Sequence, residues 1–222
     1  MKSSFFYEGH YLNVAAALKD YINEAPDMLS VHTARSTRAA GDAIAGLIAE
    51  KFDLFLGGWC KEYSSDFARR AMADIAFKDR EGGYCVVDVK THREDTKFNM
   101  PNLTSVERLS RFYEDDRNTF ALLLVKYRLE ENTVIASEVT FAPIEFLDWD
   151  CLTVGALGWG QIQITNSNRI ALIDGNSRRQ WMLTLCEVML GFYPRELEKI
   201  QERMVHFEGI KTAWEQRDDI WC

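Results

Sequence analysis

The chain has five cysteines, at 60, 85, 151, 186 and 222, but no CxxC pair, and its four histidines, at 10, 32, 92 and 206, are equally scattered. That argues against a zinc site and against a histidine-ligated metal centre, although His92 is close enough to Lys90 in sequence to face the same partner. Cys85 and Cys186 sit in apolar patterns and read as buried free thiols in a reducing compartment. No apolar run approaches the length of a membrane span, and Met1-Lys2-Ser3-Ser4-Phe5-Phe6-Tyr7-Glu8 lacks the apolar centre of a signal peptide. A cytoplasmic protein with no membrane partner is expected. Linker-like Pro/Gly/Ser stretches and internal repeats are missing too, so 222 residues with 47% hydrophobic content read as one domain, 1–222, with a substantial core. Positive charge is in deficit, with 26 Lys and Arg against 34 Asp and Glu and a net charge of −8. This weighs against a polyanionic partner, which Lys and Arg would have to hold. Residues 129–150, however, contain Glu130, Glu131, Glu138, Glu145, Asp148 and Asp150 and no Lys or Arg, so one acidic edge accounts for most of the imbalance.

What the chain does have is a charged hairpin. In Tyr84-Cys85-Val86-Val87-Asp88-Val89-Lys90 the alternation sends Cys85, Val87 and Val89 to one face and Asp88 and Lys90 to the other. Met72-Ala73-Asp74-Ile75-Ala76-Phe77-Lys78 alternates in the same way, with Asp74 on its polar side. Folding the two runs about the turn Arg80-Glu81-Gly82-Gly83 sets Asp74 opposite Asp88, give or take one residue. Facing carboxylates destabilise an antiparallel pair, and a bound divalent cation is the simplest reason for them. Mg²⁺ takes one or two carboxylates together with water and phosphate oxygens. Lys90 would then point at the same phosphate, where it could orient an attacking water and offset developing charge. The same three residues would also make a solvated, salt-bridged face. Against that, Val86 and Val87 precede Asp88, and Phe120 to Val125 reads as a buried neighbouring strand; charges at the end of a core strand need partners or a metal.

Elsewhere Leu12 to Ile22 and Ser36 to Phe52 read as amphipathic helices, the second rich in small residues, and the first ends before Pro26. Thr91 to Asn102 reads as a polar loop, and Thr104-Ser105-Val106-Glu107 fits a capping box opening a helix to about Asp115. Thr119 to Tyr127 is the most apolar strand and the expected centre of the sheet, turning at Glu130-Glu131-Asn132 into Thr133 to Phe141. Gln161-Ile162-Gln163-Ile164-Thr165-Asn166 alternates as a strand with glutamines on one face, or as a half-exposed edge strand. Its amides, with Asn168, are candidates for contact with adenine edges or phosphates. Ser177-Arg178-Arg179-Gln180 is a second capping box; Gly191 is expected to end that helix and Pro194 to begin the last one. On that last helix Leu197, Ile200, Met204, Phe207 and Trp214 follow near-heptad spacing.

Asp74, a glycine turn and Asp88-Val89-Lys90-Thr91 resemble the PD-(D/E)XK nuclease motif, and the chain more widely resembles small type II restriction endonucleases of the EcoRV, HincII and SwaI kind. The likeness takes in Arg38-Ala39-Ala40-Gly41 on a helix, the segment from Phe98 to Ser105 entering a helix, and Gly160 to Asn166 followed by two C-terminal helices. Ala73 departs from the pattern where the family often has proline, a residue that binds no metal. The resemblance implies an α/β fold with a mixed central β-sheet flanked by helices. It implies Mg²⁺ held by Asp74, Asp88 and the main chain at Val89, with Asp74, Asp88 and Lys90 as the catalytic set. Glu50 or Asp42 would be the further acidic residue such enzymes bring from an N-terminal helix; an exposed helix face explains either one as well. Lys97, Asn99, Asn102, Thr104, Gln161, Gln163, Asn166 and Asn168 become the DNA-binding candidates. The implied activity is that of a restriction-modification enzyme, a homodimer hydrolysing both strands of a short palindromic site to leave 5′-phosphates. Its dimer surface would be the stripe from Leu197 to Trp214 or the helix from Ser36 to Phe52. A DNA-repair nicking nuclease on the same core is the alternative enzyme. A noncatalytic DNA-binding module is the alternative outside enzymes, although a decayed site would usually have lost one of Asp74, Asp88 and Lys90.

Overall fold

The computed structural model describes residues 3–25, 29–65, 73–97, 99–131 and 133–218. Pro26, Met72, Phe98, Asn132 and Cys222, which entered the sequence reading, lie outside them. The strands are β1 (Cys60–Ser64), β2 (Ile75–Asp79), β3 (Tyr84–Arg93), the short β4 (Asn102–Ser105), the long β5 (Asn118–Glu130) and β6 (Thr133–Pro143), β7 (Leu152–Gly155) and β8 (Gln161–Ile164). Five form a mixed sheet in the order β1-β2-β3-β5-β6, and three form a second sheet in the order β4-β8-β7. The fold class is mixed α/β. β3 and β5 run parallel, from Tyr84 beside Asn118 to Arg93 beside Tyr127, whereas β3 is antiparallel to β2 and β5 to β6. A parallel pair cannot be closed by a hairpin, so residues 94–117 must carry a crossover. That crossover contains β4 and α5 (Val106–Phe112).

Helices α1 (Ser4–Tyr7), α2 (His10–Asn23), α3 (Val31–Ala34) and α4 (Thr37–Leu56) precede the sheet. α4 starts where expected, since Ser36 Oγ accepts the amide of Ala39, and runs one turn further than Phe52. Its buried residues Ala40, Ile44, Ile48, Phe52 and Leu56 recur every four positions. They share one core cluster with Leu18 and Ile22 of α2 and with Ile75, Phe77, Cys85, Val87 and Val89. Emptying such a site, as in Ile44→Ala or Phe52→Ala, costs about 3 kcal/mol. Because these core positions occupy one face of α4, that face is not free to serve as a dimer surface. The alternate residues Val86, Phe120, Leu122 and Leu124 are buried as well, so β3 and β5 are covered on both faces, as parallel strands generally are.

Several expectations change. β3, not β5, is the middle strand, because β1 and β2 extend the sheet on one side. The cap of α5 is Ser105, whose Oγ accepts from Arg108 N, and the helix stops at Phe112 rather than near Asp115. Thr104 is instead a buried residue of β4, pairing with Ile162. β8 is flanked by β4 and β7, so the glutamine strand is not an edge. Glu145 is fully buried rather than part of an acidic rim: Arg178 Nε reaches its carboxylate at 2.9 Å and Tyr113 donates its hydroxyl at 3.0 Å. Of the thiols, Cys85 and Cys151 are buried, Cys60 is half-buried and Cys186 is exposed.

The chain divides into two compact units, 1–178 and 179–222. Residues 179–215 of the second are the continuation of α6 (Arg178–Glu215). The break expected between Gly191 and Pro194 is absent, and Pro194 lies inside the helix. Proline removes one backbone bond, to the carbonyl of Leu190, and Leu190 is itself exposed, so water can take the place of the missing donor. Among the described residues no helix is long and apolar enough to cross a membrane.

Candidate active site

The hairpin that carries the charges is set by Asp79. Its Oδ1 accepts the amides of Glu81 at 2.9 Å and Gly83 at 2.8 Å, and Gly82 takes a φ of 87° that a residue with a Cβ would resist. β2 and β3 then pair with Ile75 opposite Val87. Asp74 immediately precedes β2, and one further step of the same register sets it against Asp88. The Asp74 amide donates to Val87 O at 3.0 Å, and its Oδ2 accepts the amide of Val89 at 2.8 Å.

Asp88 is different. Only 4% of the residue is exposed. Its Oδ1 accepts from Lys90 Nζ at 2.8 Å, and its Oδ2 is buried with no hydrogen-bond partner among the described residues. Burial pushes the Asp88 carboxyl up to about 7; the Lys90 ammonium opposes that rise and the Asp74 carboxylate adds to it. An orphaned carboxylate oxygen is expensive to bury, and a proton or a cation on it removes the penalty. Hard oxygen donors from two carboxylates, with a main-chain group at Val89 beside them, suit Mg²⁺. Among the described residues no three His, Cys, Asp or Glu side chains gather as a metal cage. Two carboxylates are nonetheless the usual protein share of a Mg²⁺ site completed by phosphate and water.

A cleft of about 440 Å³ opens beside this group, bounded by Arg38, Gly41 and Asp42 of α4 and by Asp74, Lys90 and Arg93. α4 can approach because residue 41 is glycine: a Cβ there would run into Thr91 Oγ1. Arg38 was not singled out as a site residue by the sequence, yet a signal was present. Arg38, Gly41, Asp42 and Ala45 fall at helical spacings of three and four, one face with small residues that admit a neighbouring strand. Asp42 lies on that face. Glu50 does not: eight residues further on, it is displaced by about 12 Å along the helix axis, is exposed, and does not border the cleft.

The polar segments 92–105 and 161–168 are brought together, but largely by bonding each other. Gln163 Nε2 donates to Asn102 Oδ1, Ser167 N to Asn99 O at 3.0 Å, and Ile164 N to Pro101 O at 3.1 Å. Asn166 Oδ1 accepts the amide of Asn168, whose own Oδ1 lies 2.7 Å from His92 Nε2. His92 is therefore buried, not displayed. Thr104 Oγ1 is buried without a partner among the described residues, whereas Lys97 is exposed and Asn99 and Gln161 are half-buried. No family model matches the chain, and no curated protein matches it.

Proposed function

We propose that the chain is a Mg²⁺-dependent deoxyribonuclease of the type II restriction kind, built on a restriction-endonuclease-like core and acting as a homodimer on a specific double-stranded site. The observation that carries this reading is Asp88. A buried carboxylate with one oxygen unpartnered, a second carboxylate adjacent in register and a lysine bonded to it is a costly arrangement for a merely structural salt bridge. The cleft beside it adds Arg38 and Arg93, cations suited to a phosphate backbone.

Mg²⁺ bound by Asp74, Asp88 and the Val89 main chain would supply neutralising charge and a more acidic water. The protein's own groups do the rest. Lys90, bonded to Asp88 through its ammonium, would hold the attacking water and offset charge on the phosphoryl oxygens. Arg38 and Arg93 would align the strand. Water oxygen joins phosphorus, the P–O3′ bond breaks, the water proton leaves to solvent and the departing 3′ oxygen takes one up. The products are a 5′-phosphate and a 3′-hydroxyl. Digestion of plasmid DNA with Mg²⁺, against an EDTA control, tests this, with sequencing of the ends. Discrete fragments support it; intact plasmid with Mg²⁺ and with Mn²⁺ overturns it, and nicked circles alone would point to a nicking nuclease on the same core.

A further inference from the structure

From Leu197 to Glu215 every residue is exposed, yet this stretch of α6 is not polar. Leu197, Ile200, Met204, Phe207, Lys211 and Trp214 succeed one another at alternating steps of three and four, and Leu197, Phe207 and Trp214 are each more than 60% exposed. With Leu197 at position a of a heptad, Met204 and Lys211 are also a, and Ile200, Phe207 and Trp214 are d. A strict 3.5-residue repeat follows a seam between supercoiled helices, since a straight helix drifts by about 20° per heptad relative to it. An isolated helix is only marginally stable in water without such a partner.

The charges beside the seam identify the partner. Arg203 stands at g and Glu208 at e of the next heptad, and neither side chain has an ion pair or hydrogen bond among the described residues. The other charges flanking the seam are engaged within their own chain: Glu196 holds Lys199 at 2.7 Å, Lys211 lies 3.8 Å from Glu215, and Arg217, just past the helix end, stacks on Trp214. In a parallel, in-register pair the g side chain of one helix meets e of the following heptad on the other. Arg203 of each copy then meets Glu208 of the other, twice by symmetry. The pattern is complementary to itself. Lys211 at a single a position lowers stability but selects register and oligomer state.

We propose that residues 197–215 form a parallel two-stranded coiled coil with a second copy of this chain. The inference deepens the homodimer of the proposed function and rests on that part of the reading; its test contains no DNA, so it can fail while Mg²⁺-dependent cleavage still stands. Light scattering of the full chain should give about twice 25.6 kDa, and Phe207→Glu should give the single-chain mass with the cooperative urea unfolding of its β-sheet core kept, while the far-ultraviolet helical signal falls as the helix loses its partner. Arg203→Glu and Glu208→Arg should each weaken the dimer about tenfold. An equimolar mixture of the two should restore it as a heterodimer, because every introduced charge then faces its opposite. A monomer at all concentrations, a dimer indifferent to Phe207→Glu, or a mixture no tighter than either variant alone would overturn the proposal.

Discussion

Asp88 and Lys90 occupy the same ten-residue strand as Val87 and Val89, and the difference in their fate is one of face. Val87 and Val89 join the core beneath α4, whereas Asp88 is buried with a single bond, from Lys90, to satisfy two oxygens. Asp88→Asn and Lys90→Ala should each lower Mg²⁺-dependent cleavage by a hundredfold or more, roughly the share of a positioned proton-transfer or charge-stabilising group. A Lys90→Ala protein that cuts at the unaltered rate would remove Lys90 from the mechanism. Without metal, Asp88 also makes folding depend on pH. Its folded-state value of about 7 lies above the 3.8 of a free carboxyl, so the fold favours the proton. The associated stability is fully present below about pH 4 and is lost as pH rises through about 7, with a limit on the order of 4 kcal/mol. Urea unfolding in EDTA at pH 5 and pH 8 should therefore show a loss at the higher pH that Asp88→Asn lacks. Equal losses in the two proteins would mean that Asp88 is not held in its neutral form.

At the scale of elements, the periodic segments were legible and the short or interrupted ones were not. α4 and β3 follow from spacing alone, because burial on one face imposes the repeats of 3.6 and 2 that a sequence displays. β4 was hidden: four residues in a polar stretch, with exposed Asn102, carry too little alternation, and Thr104 looked like a cap only because Ser105 is its neighbour. Asn102 and Gln163 read as separate amides until β4 and β8 paired and brought them together, a contact between residues far apart in the chain. α6 runs through Pro194 because no sequence rule tells whether solvent can replace the lost bond. The approach of α4 to β3 gives this scale its test. Gly41→Ala should destabilise by about 1–3 kcal/mol through overpacking against Thr91 Oγ1. Thr91→Ala should relieve it, since the remaining Cβ lies at an ordinary 3.7 Å from the added methyl position. A denaturant double-mutant cycle measures the coupling; additive effects would mean that the two side chains do not compete for this space.

For the whole molecule, the acidic total is less adverse to a DNA substrate than its size implies. Glu145 is neutralised by Arg178 in the interior, Glu138 is paired with Lys126 and Glu130 with Arg128, so much of the acidic stretch is already countered within the protein. The cleft holds Arg38, Lys90 and Arg93 beside Asp42 and Asp74, with Lys90 paired to Asp88 and Arg93 to Asp95, so a bound cation on the carboxylates is what would free its positive groups for phosphate. One chain supplies one such cleft, and cutting both strands of a symmetric site takes two attacks related by the DNA dyad. If the coiled coil provides the second cleft, dimerisation and double-strand cleavage are linked while the chemistry of a single site is not. Phe207→Glu, far in sequence from every cleft residue, should therefore still hydrolyse phosphodiesters. The unaltered dimer should convert supercoiled plasmid to linear form with little open circle, because both attacks occur within one bound complex. The Phe207→Glu monomer should instead accumulate open circles and linearise them slowly, with a rate that rises with protein concentration as separate encounters replace concerted ones. Agarose gels sampled over time read this directly. Linear product appearing from the monomeric variant with no open-circle phase would show that the coil plays no part in coordinating the two cuts.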